Sequence, residues 1–598
     1  MDTSIIWEYI WSPISAVVLA QFAVVGLLVA SIFVKSRKRK VLWGSSSVLI
    51  AGLVTWYFVI PIIPVHFEPN HPDPAWDNGK VVHILPAVND SRILLKTSFE
   101  EPLDSPRLTV NGNLTVSGTR TDTYGYFWAF DVSGLQADTV YQLQLHDYEG
   151  HPLCDPWPLR TFPAPDSEPE RLRVLAITCP GGHDATRSWF GTGQMPVEIR
   201  QQLLNHALSF NPDVMVSTGD QIYWDIKYGI TPQHMGKSRR AIHYAGDFDQ
   251  NIAVMGTFNE EVLKKAVDPQ IAYLYGTALR STPTYWILDD HDYFMNDEAI
   301  EGDYRDWKLL LSWVSPRVQG GVSFPPEPFM IELGRTAQKL YLPEFLPDEN
   351  RPQSLPGTGA PDRTEGVSES FGTLRYGNLL EGLMYDMRRY ITLTGASAAF
   401  FPMDAEQWLV DRMEAEDTRY LVHFSPIAVG WSAGKWLEYY PDVRAKAPDG
   451  PYLTTEEEKY MWQEGWFEQH NRILNAAYSM QSSQPLFVCG DMHTQAAGWI
   501  HGSGKLSFAD KPIPSLLTGA LGVAKGGYPS EGLRGIEAQP PTWLTVEEEL
   551  PSYEKAGFAV IDFSREKTTV QFFGWKYGED CVSDISTLEP HFVFEIIP

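Results

Sequence analysis

Arg173-Val-Leu-Ala-Ile-Thr178 and Val214-Met-Val-Ser217 are apolar runs of strand length, and residues 196–210 between them place Val197, Leu203, Leu204, Ala207 and Leu208 at helical spacing. Strand, helix, strand in that order is the unit of a layered α/β fold. The second run stops at Gly219-Asp220, a pair that turns the chain sharply and aims a carboxylate inward. Further buried strands are expected at residues 284–288, 420–424, 486–489 and 515–517. Antiparallel strands are expected at 558–563, 569–575 and 591–597.

Metal-ligating residue types recur where these strands end. The first runs into Thr178-Cys179-Pro180 and the second into Gly219-Asp220-Gln221-Ile222-Tyr223. The third runs into Asp289-Asp290-His291-Asp292, with Asn296-Asp297 following, and a later one into Cys489-Gly490-Asp491-Met492-His493. Ligands in α/β sheets sit beyond the carboxyl ends of strands, so four segments distant in sequence can share one patch. Each motif alone is more often a turn, a solvated cluster or, for Cys179 and Cys489, a small buried side chain. Together and in this order they point to metal-assisted hydrolysis of a phosphate ester. Two ions about 3.5–4 Å apart neutralise the phosphate, acidify a water and steady the leaving oxygen, which takes six or more ligands.

Outward from this region, the chain has 598 residues and a net charge of −28, which repels phosphate backbones and excludes a nucleic-acid-coating role. Its four cysteines, Cys154, Cys179, Cys489 and Cys581, form no disulfide or zinc-knuckle pattern. Residues 67–165 read as a small fibronectin- or Ig-like β-sandwich, with a tight turn at Asn111-Gly112 and a tyrosine corner at Gly134 to Tyr141. A spacer is its expected role. Residues 298–376 read as a Pro- and Gly-rich insertion with few strand signals. Residues 14–34 and 41–63 are each long and apolar enough to cross a bilayer, which takes about 20 residues. Between them lies Lys35-Ser-Arg-Lys-Arg-Lys40, and short basic loops stay in the cytoplasm. Residues 1–66 are therefore expected to form a two-helix transmembrane hairpin with both chain ends outside the cytoplasm. A cleaved signal peptide places its positive charge before the apolar run, not after it.

The ordered set Cys179, Gly219-Asp220-Gln-Ile-Tyr223, Asp289-Asp290-His291-Asp292 with Asn296-Asp297, and Gly490-Asp491-Met-His493 resembles the alkaline phosphatase D (PhoD-like) branch of the calcineurin-like metallophosphoesterases. Leu383-Met-Tyr-Asp386-Met-Arg388-Arg389-Tyr390 and Ala405-Glu-Gln-Trp-Leu-Val-Asp411 resemble the same branch. The resemblance implies a catalytic domain over 166–598 built as a four-layer β-sandwich flanked by helices. It also implies a binuclear centre, Fe3+ with Ca2+, or with Zn2+ or Mn2+ instead. Asp220 is implied as the bridging ligand, Tyr223 and Cys179 as ferric ligands, and Asp491 and His493 as completing the centre. Asp290 and Asn296 are implied for the second metal or the phosphate. His291, steadied by its neighbour Asp292, is implied as proton donor to the leaving group, and Arg388 as a phosphate contact.

The chain departs from the pattern at Pro180, and His183 and Asp184 follow close by, so either can enter the site; His423 ends another strand and is either near the centre or buried. The expected activity is hydrolysis of a phosphomonoester or phosphodiester by hydroxide formed on the metals. Beside a membrane, a lipid or envelope-polymer ester is a natural substrate. The competing readings are a membrane-tethered binding protein that keeps the fold without turnover, and a metal-dependent hydrolase of a non-phosphate ester.

Overall fold

The computed structural model describes residues 67–182, 194–224, 245–246, 248–293, 326, 328–448, 450–524, 527–531 and 535–597. The apolar runs 14–34 and 41–63, together with His183, Asp184 and Asn296, lie outside the described residues. Among the described residues no helix is long and apolar enough to cross a membrane.

Two facing sheets form the larger part. One runs, edge to edge, through Thr284–Ile287, Val214–Thr218, Arg171–Ile177, Ala556–Ser564, Thr568–Trp575 and Phe592–Ile596. The other runs through Phe371–Tyr376, Leu380–Tyr385, Tyr420–Ser425, Gln484–Cys489, Ile513–Thr518, Gln495–Ser503 and Leu506–Ser507, with Leu544–Tyr553 also paired to Gln495–Ser503. Val174, Val216, Ile287 and Ile561 of the first sheet share one apolar core with Val422, Phe424, Val488 and Leu516 of the second. On the outer faces, Leu175 and Trp286 join a core with Leu203 and Leu204 of the helix Val197–Leu208. Leu421 and Phe487 likewise share a core with Trp408 and Leu409 of Met403–Ala415 and with Ile473 of Glu464–Ser479. Helix, sheet, sheet, helix is the four-layer architecture expected. Both faces of each sheet are covered, so these strands read as continuous apolar runs rather than alternating ones.

The strands that matter most are parallel. Arg171–Ile177, Val214–Thr218 and Thr284–Ile287 pair in parallel, as do Leu380–Tyr385, Tyr420–Ser425, Gln484–Cys489 and Ile513–Thr518. Their carboxyl ends meet where the two sheets touch: Thr178 bridges Ala520, and Thr178 Oγ1 donates to Thr218 O at 2.9 Å.

The stretch 298–376 departs from its expected form. Its described part includes a helix, Pro328–Tyr341, and the edge strand Phe371–Tyr376 of the second sheet.

Before these layers stand two four-stranded sheets. One is Val81–Val88, Arg92–Phe99, Phe127–Ser133 and Thr119–Arg120; the other is Leu114–Ser117, Arg107–Val110, Val140–His146 and Trp157–Arg160. Tyr141 Oη accepts from the backbone N–H of Gln136 at 2.8 Å, the corner contact the sequence suggests. The unit is bonded to the larger part. Ile84 N–H donates to Gly276 O at 3.0 Å, and the Thr284 and Tyr285 hydroxyls donate to Pro86 O and Val88 O at 2.8 and 2.7 Å. One of these bonds runs backbone to backbone and two use side-chain hydroxyls, so buried polar groups on both sides are satisfied across the junction.

Candidate metal centre

Five strand ends deliver the site. Cys179 follows Arg171–Ile177, Asp220 and Tyr223 follow Val214–Thr218, and Asp289 to Asp292 follow Thr284–Ile287. Asp491 and His493 follow Gln484–Cys489, and Lys435 lies ten residues beyond Ser425 at the end of Tyr420–Ser425. Their ligand atoms converge in three overlapping groups, each within 4.8 Å: Cys179, Asp220 and His493; Asp220, Asp290 and His291; Asp289, Asp290 and Asp491. Asp220 and Asp290 each belong to two groups, which is the arrangement two neighbouring ions require.

The backbone is bent to make this possible. Cys179, Asp220, Asp491 and His493 have φ of 47°, 56°, 70° and 50°, in the left-handed region. Such conformations cost on the order of 1–3 kcal/mol each and cluster at functional sites. Gly219, at φ 101°, leaves no room for a side chain, since a Cβ there would lie 2.6 Å from Asp289 Cβ. At Gly490 a Cβ would meet Thr218 O at 2.3 Å, so this glycine permits the two sheets to approach. Gln270 ties two loops together, its Oε1 accepting from Gly182 N–H at 2.7 Å and Tyr223 N–H at 2.8 Å.

Tyr223 Oη stands 2.9 Å from Asp220 Oδ2 and 3.1 Å from His493 Nε2. His493 Nδ1 donates to Gly527 O at 2.7 Å, which fixes the tautomer and turns the lone pair of Nε2 toward the cluster. The His291 ring lies over Tyr223 with centroids 4.1 Å apart, and its backbone N–H donates to Asp220 Oδ1 at 3.3 Å.

Two expected roles change. Both oxygens of Asp292 accept backbone N–H groups, from Ile222 and Asp289, each at 2.9 Å. Asp292 therefore staples the Asp220 loop to the Asp289 loop rather than holding the His291 ring. Arg388 is fully buried; its Nε donates to Asp289 Oδ1, Nη1 donates to Leu437 O at 3.2 Å, and Nη2 is 3.7 Å from Asp491 Oδ2. Its guanidinium braces the carboxylates Asp289 and Asp491 from below the surface. Lys435, which sequence reasoning missed, places its Nζ on Asp491 Oδ1. His423 belongs to the core: its ring stacks on Phe487 at 4.7 Å and Nδ1 is 3.3 Å from Tyr385 Oη. Cys489 is likewise a buried core residue.

The electrostatics fit a cation. Burial, then the charges of Asp290, Asp292 and Asp491, push the Asp220 carboxyl well above the usual range. Burial and Asp220 do the same to the Cys179 thiol and the Tyr223 phenol. Against the upward push of burial, His291, Lys435 and Arg388 hold Asp290 below the ordinary carboxylate range. A thiol, a phenol, an imidazole and carboxylates crowded out of water are a donor set that metal ions stabilise in deprotonated form.

No family model and no curated protein sequence matches the chain. Among solved structures it is similar to one described as the structure of PhoD, with a TM-score of 0.51 and 13% identity over 88% of this chain and 90% of that one. It also aligns with purple acid phosphatase PPD1 from yellow lupin (Lupinus luteus) seeds, with a TM-score of 0.46 and 12% identity over 87% and 75% of the two chains. The chain thus shares its fold with PhoD, in keeping with the resemblance carried by its strand-end motifs.

Proposed function

We propose that the chain is a metal-dependent phosphoesterase that hydrolyses phosphomonoesters or phosphodiesters at a binuclear centre. The observation that carries this reading is the convergence of Cys179, Asp220, Tyr223, Asp290, Asp491 and His493 at parallel strand ends from both sheets. Cys179, Tyr223, His493 and Asp220 would hold one ion, and phenolate with thiolate favours Fe3+ there. Asp220, Asp290 and Asp491 would hold the second, as Ca2+, Zn2+ or Mn2+. When bound, the two ions supply positive charge for the phosphate oxygens and acidify the attacking water.

This chain's own residues do the rest. Asp292 and Gln270 fix the loops, Arg388 balances Asp289, and the His493–Gly527 bond sets the imidazole that binds. His291, its ring tilted over Tyr223 beside the cluster, would give a proton to the leaving oxygen. Burial keeps bulk water out, so these charges act at a low local dielectric.

The apolar runs 14–34 and 41–63, with five bases in the loop between them, support a membrane hairpin and an extracytoplasmic working domain. That placement favours a phosphate ester of lipid or envelope polymer as substrate.

The deciding experiment couples metal analysis of purified protein to a paired assay on p-nitrophenyl phosphate and bis(p-nitrophenyl) phosphate. Near-stoichiometric metal and turnover of at least one ester are expected, and Asp220→Ala should abolish both. Metal-replete protein that cleaves neither ester refutes the reading. Inhibition by vanadate separates phosphate-ester chemistry from hydrolysis of another ester.

A further inference from the structure

Among the described residues, the side-chain cations Arg388 and Lys435 pair with carboxylates of the centre, and they are held differently. Arg388 is sealed beneath it, bound to Asp289 and Leu437 O. Lys435 keeps 8% of its surface exposed and approaches Asp491 from a loop that continues the strand Tyr420–Ser425.

That loop is built to hold its shape. Gly430 N–H donates to Tyr440 Oη at 2.8 Å, and Ser432 pairs with Gln539 through two backbone bonds of 2.9 and 3.0 Å. Ser432 Oγ donates to Glu438 Oε2 at 2.7 Å. The buried ammonium of Lys459 donates to the same oxygen at 2.9 Å and to Tyr440 O at 2.7 Å. Trp431 Nε1 donates to Glu548 Oε1 at 2.9 Å. Gly434, at φ 70°, makes the final turn that points Lys435 inward. So many buried polar contacts around one lysine rigidify the loop, and a rigid cation is what binding a charged group demands.

We propose that Lys435 is the phosphate-contacting cation of this site, the role that the family resemblance implied for Arg388. Its ammonium lies on Asp491, a carboxylate that would also hold the second metal, and a phosphate bound there would meet this cation. An ammonium is a compact point charge with rotatable donors, suited to a tetrahedral oxyanion. The inference rests on the phosphoesterase reading above.

The test is calorimetric titration of inorganic phosphate into metal-replete full-length protein in detergent, with metal content measured on the same samples. Lys435→Gln and Lys435→Met are expected to keep the wild-type metal content and to bind phosphate at least tenfold more weakly. KM for a small monoester should rise more than kcat falls, and Lys435→Arg should restore phosphate affinity to within threefold. The Arg variant keeps the test open should a neutral variant fold poorly. Wild-type phosphate affinity in both neutral variants overturns the proposal. So does a loss of metal in step with phosphate binding, which leaves Lys435 only a positioning residue for Asp491. Wild-type protein that binds neither metal nor phosphate overturns the phosphoesterase reading instead.

Discussion

Lys96 in the N-terminal sandwich sets its ammonium 3.0 Å from Glu344 Oε2 of the larger part, and both side chains are buried. The pair opens a ladder of charges. Arg363 bridges Glu344 and Glu369 at 2.9 and 2.8 Å, Glu369 meets Arg389 at 2.7 Å, and Arg389 Nε donates to Tyr293 Oη at 3.1 Å. Tyr293 shares the short helix Asp290–Tyr293 with His291. The sandwich is thereby wired to the shoulder of the metal centre. Removing one member of a buried pair leaves an uncompensated charge and costs about 3–5 kcal/mol. Glu344→Gln, which leaves the buried Lys96 ammonium only the backbone carbonyl of Lys339, should lower the denaturation midpoint accordingly, and an unchanged midpoint would show that the ladder does not bear on stability.

Arg388 makes a similar prediction for a different reason. If it braces Asp289, as its burial and contacts indicate, Arg388→Met should destabilise the fold by about 3–5 kcal/mol and reduce bound metal. A variant of wild-type stability whose only defect is a raised KM would return Arg388 to the role of phosphate contact.

What the sequence disclosed and what it hid follow from the range of the interactions. Cys179, Asp220, Asp290, Asp491 and His493 were legible because each follows an apolar strand directly, and strand ends in a parallel sheet lie on one edge. The glycines before Asp220 and Asp491 carried the same message, although only Gly219 is needed for a positive φ; Gly490 is needed for close packing. Lys435 was not legible. It sits in a loop whose path is set by Glu438, Lys459 and Gln539, and nothing in its own neighbourhood marks it as inward-facing. Nothing near Lys96 in the sequence marks its pairing either, because its partner Glu344 is 248 residues away. Asp292 looked catalytic from its place beside His291, yet adjacent side chains on one turn need not share a target.

Tyr223 allows an optical test of the metal assignment. A ferric–phenolate bond absorbs visible light, so iron-loaded protein should be violet and Tyr223→Phe should bleach it. The phenol contacts both Asp220 and His493 directly, so its loss should weaken metal binding beyond the roughly 10–100-fold that outer partners cost. Active protein that is colourless and iron-free would retire iron in favour of zinc or manganese.

Acid should unfold this protein through its core histidines. His83, His423 and His470 are buried, and burial lowers each to about 3. In the unfolded chain all three return to the ordinary value of about 6.5. The unfolded state therefore binds more protons than the native state below that pH, and stability falls as pH drops from about 6.5 toward 3. Each histidine contributes a slope of about 1.4 kcal/mol per pH unit in that window, so the three together approach roughly 4 kcal/mol per unit. His423 is the cleanest to remove, because its partners among the described residues are Tyr385 and the Phe487 ring, away from the metal centre. In His423→Phe the slope of unfolding free energy against pH, measured between about pH 6 and 4, should fall by about one proton's worth relative to wild type. An unchanged slope would mean that His423 already charges in the native state, and the acid lability would then have to come from the carboxylates.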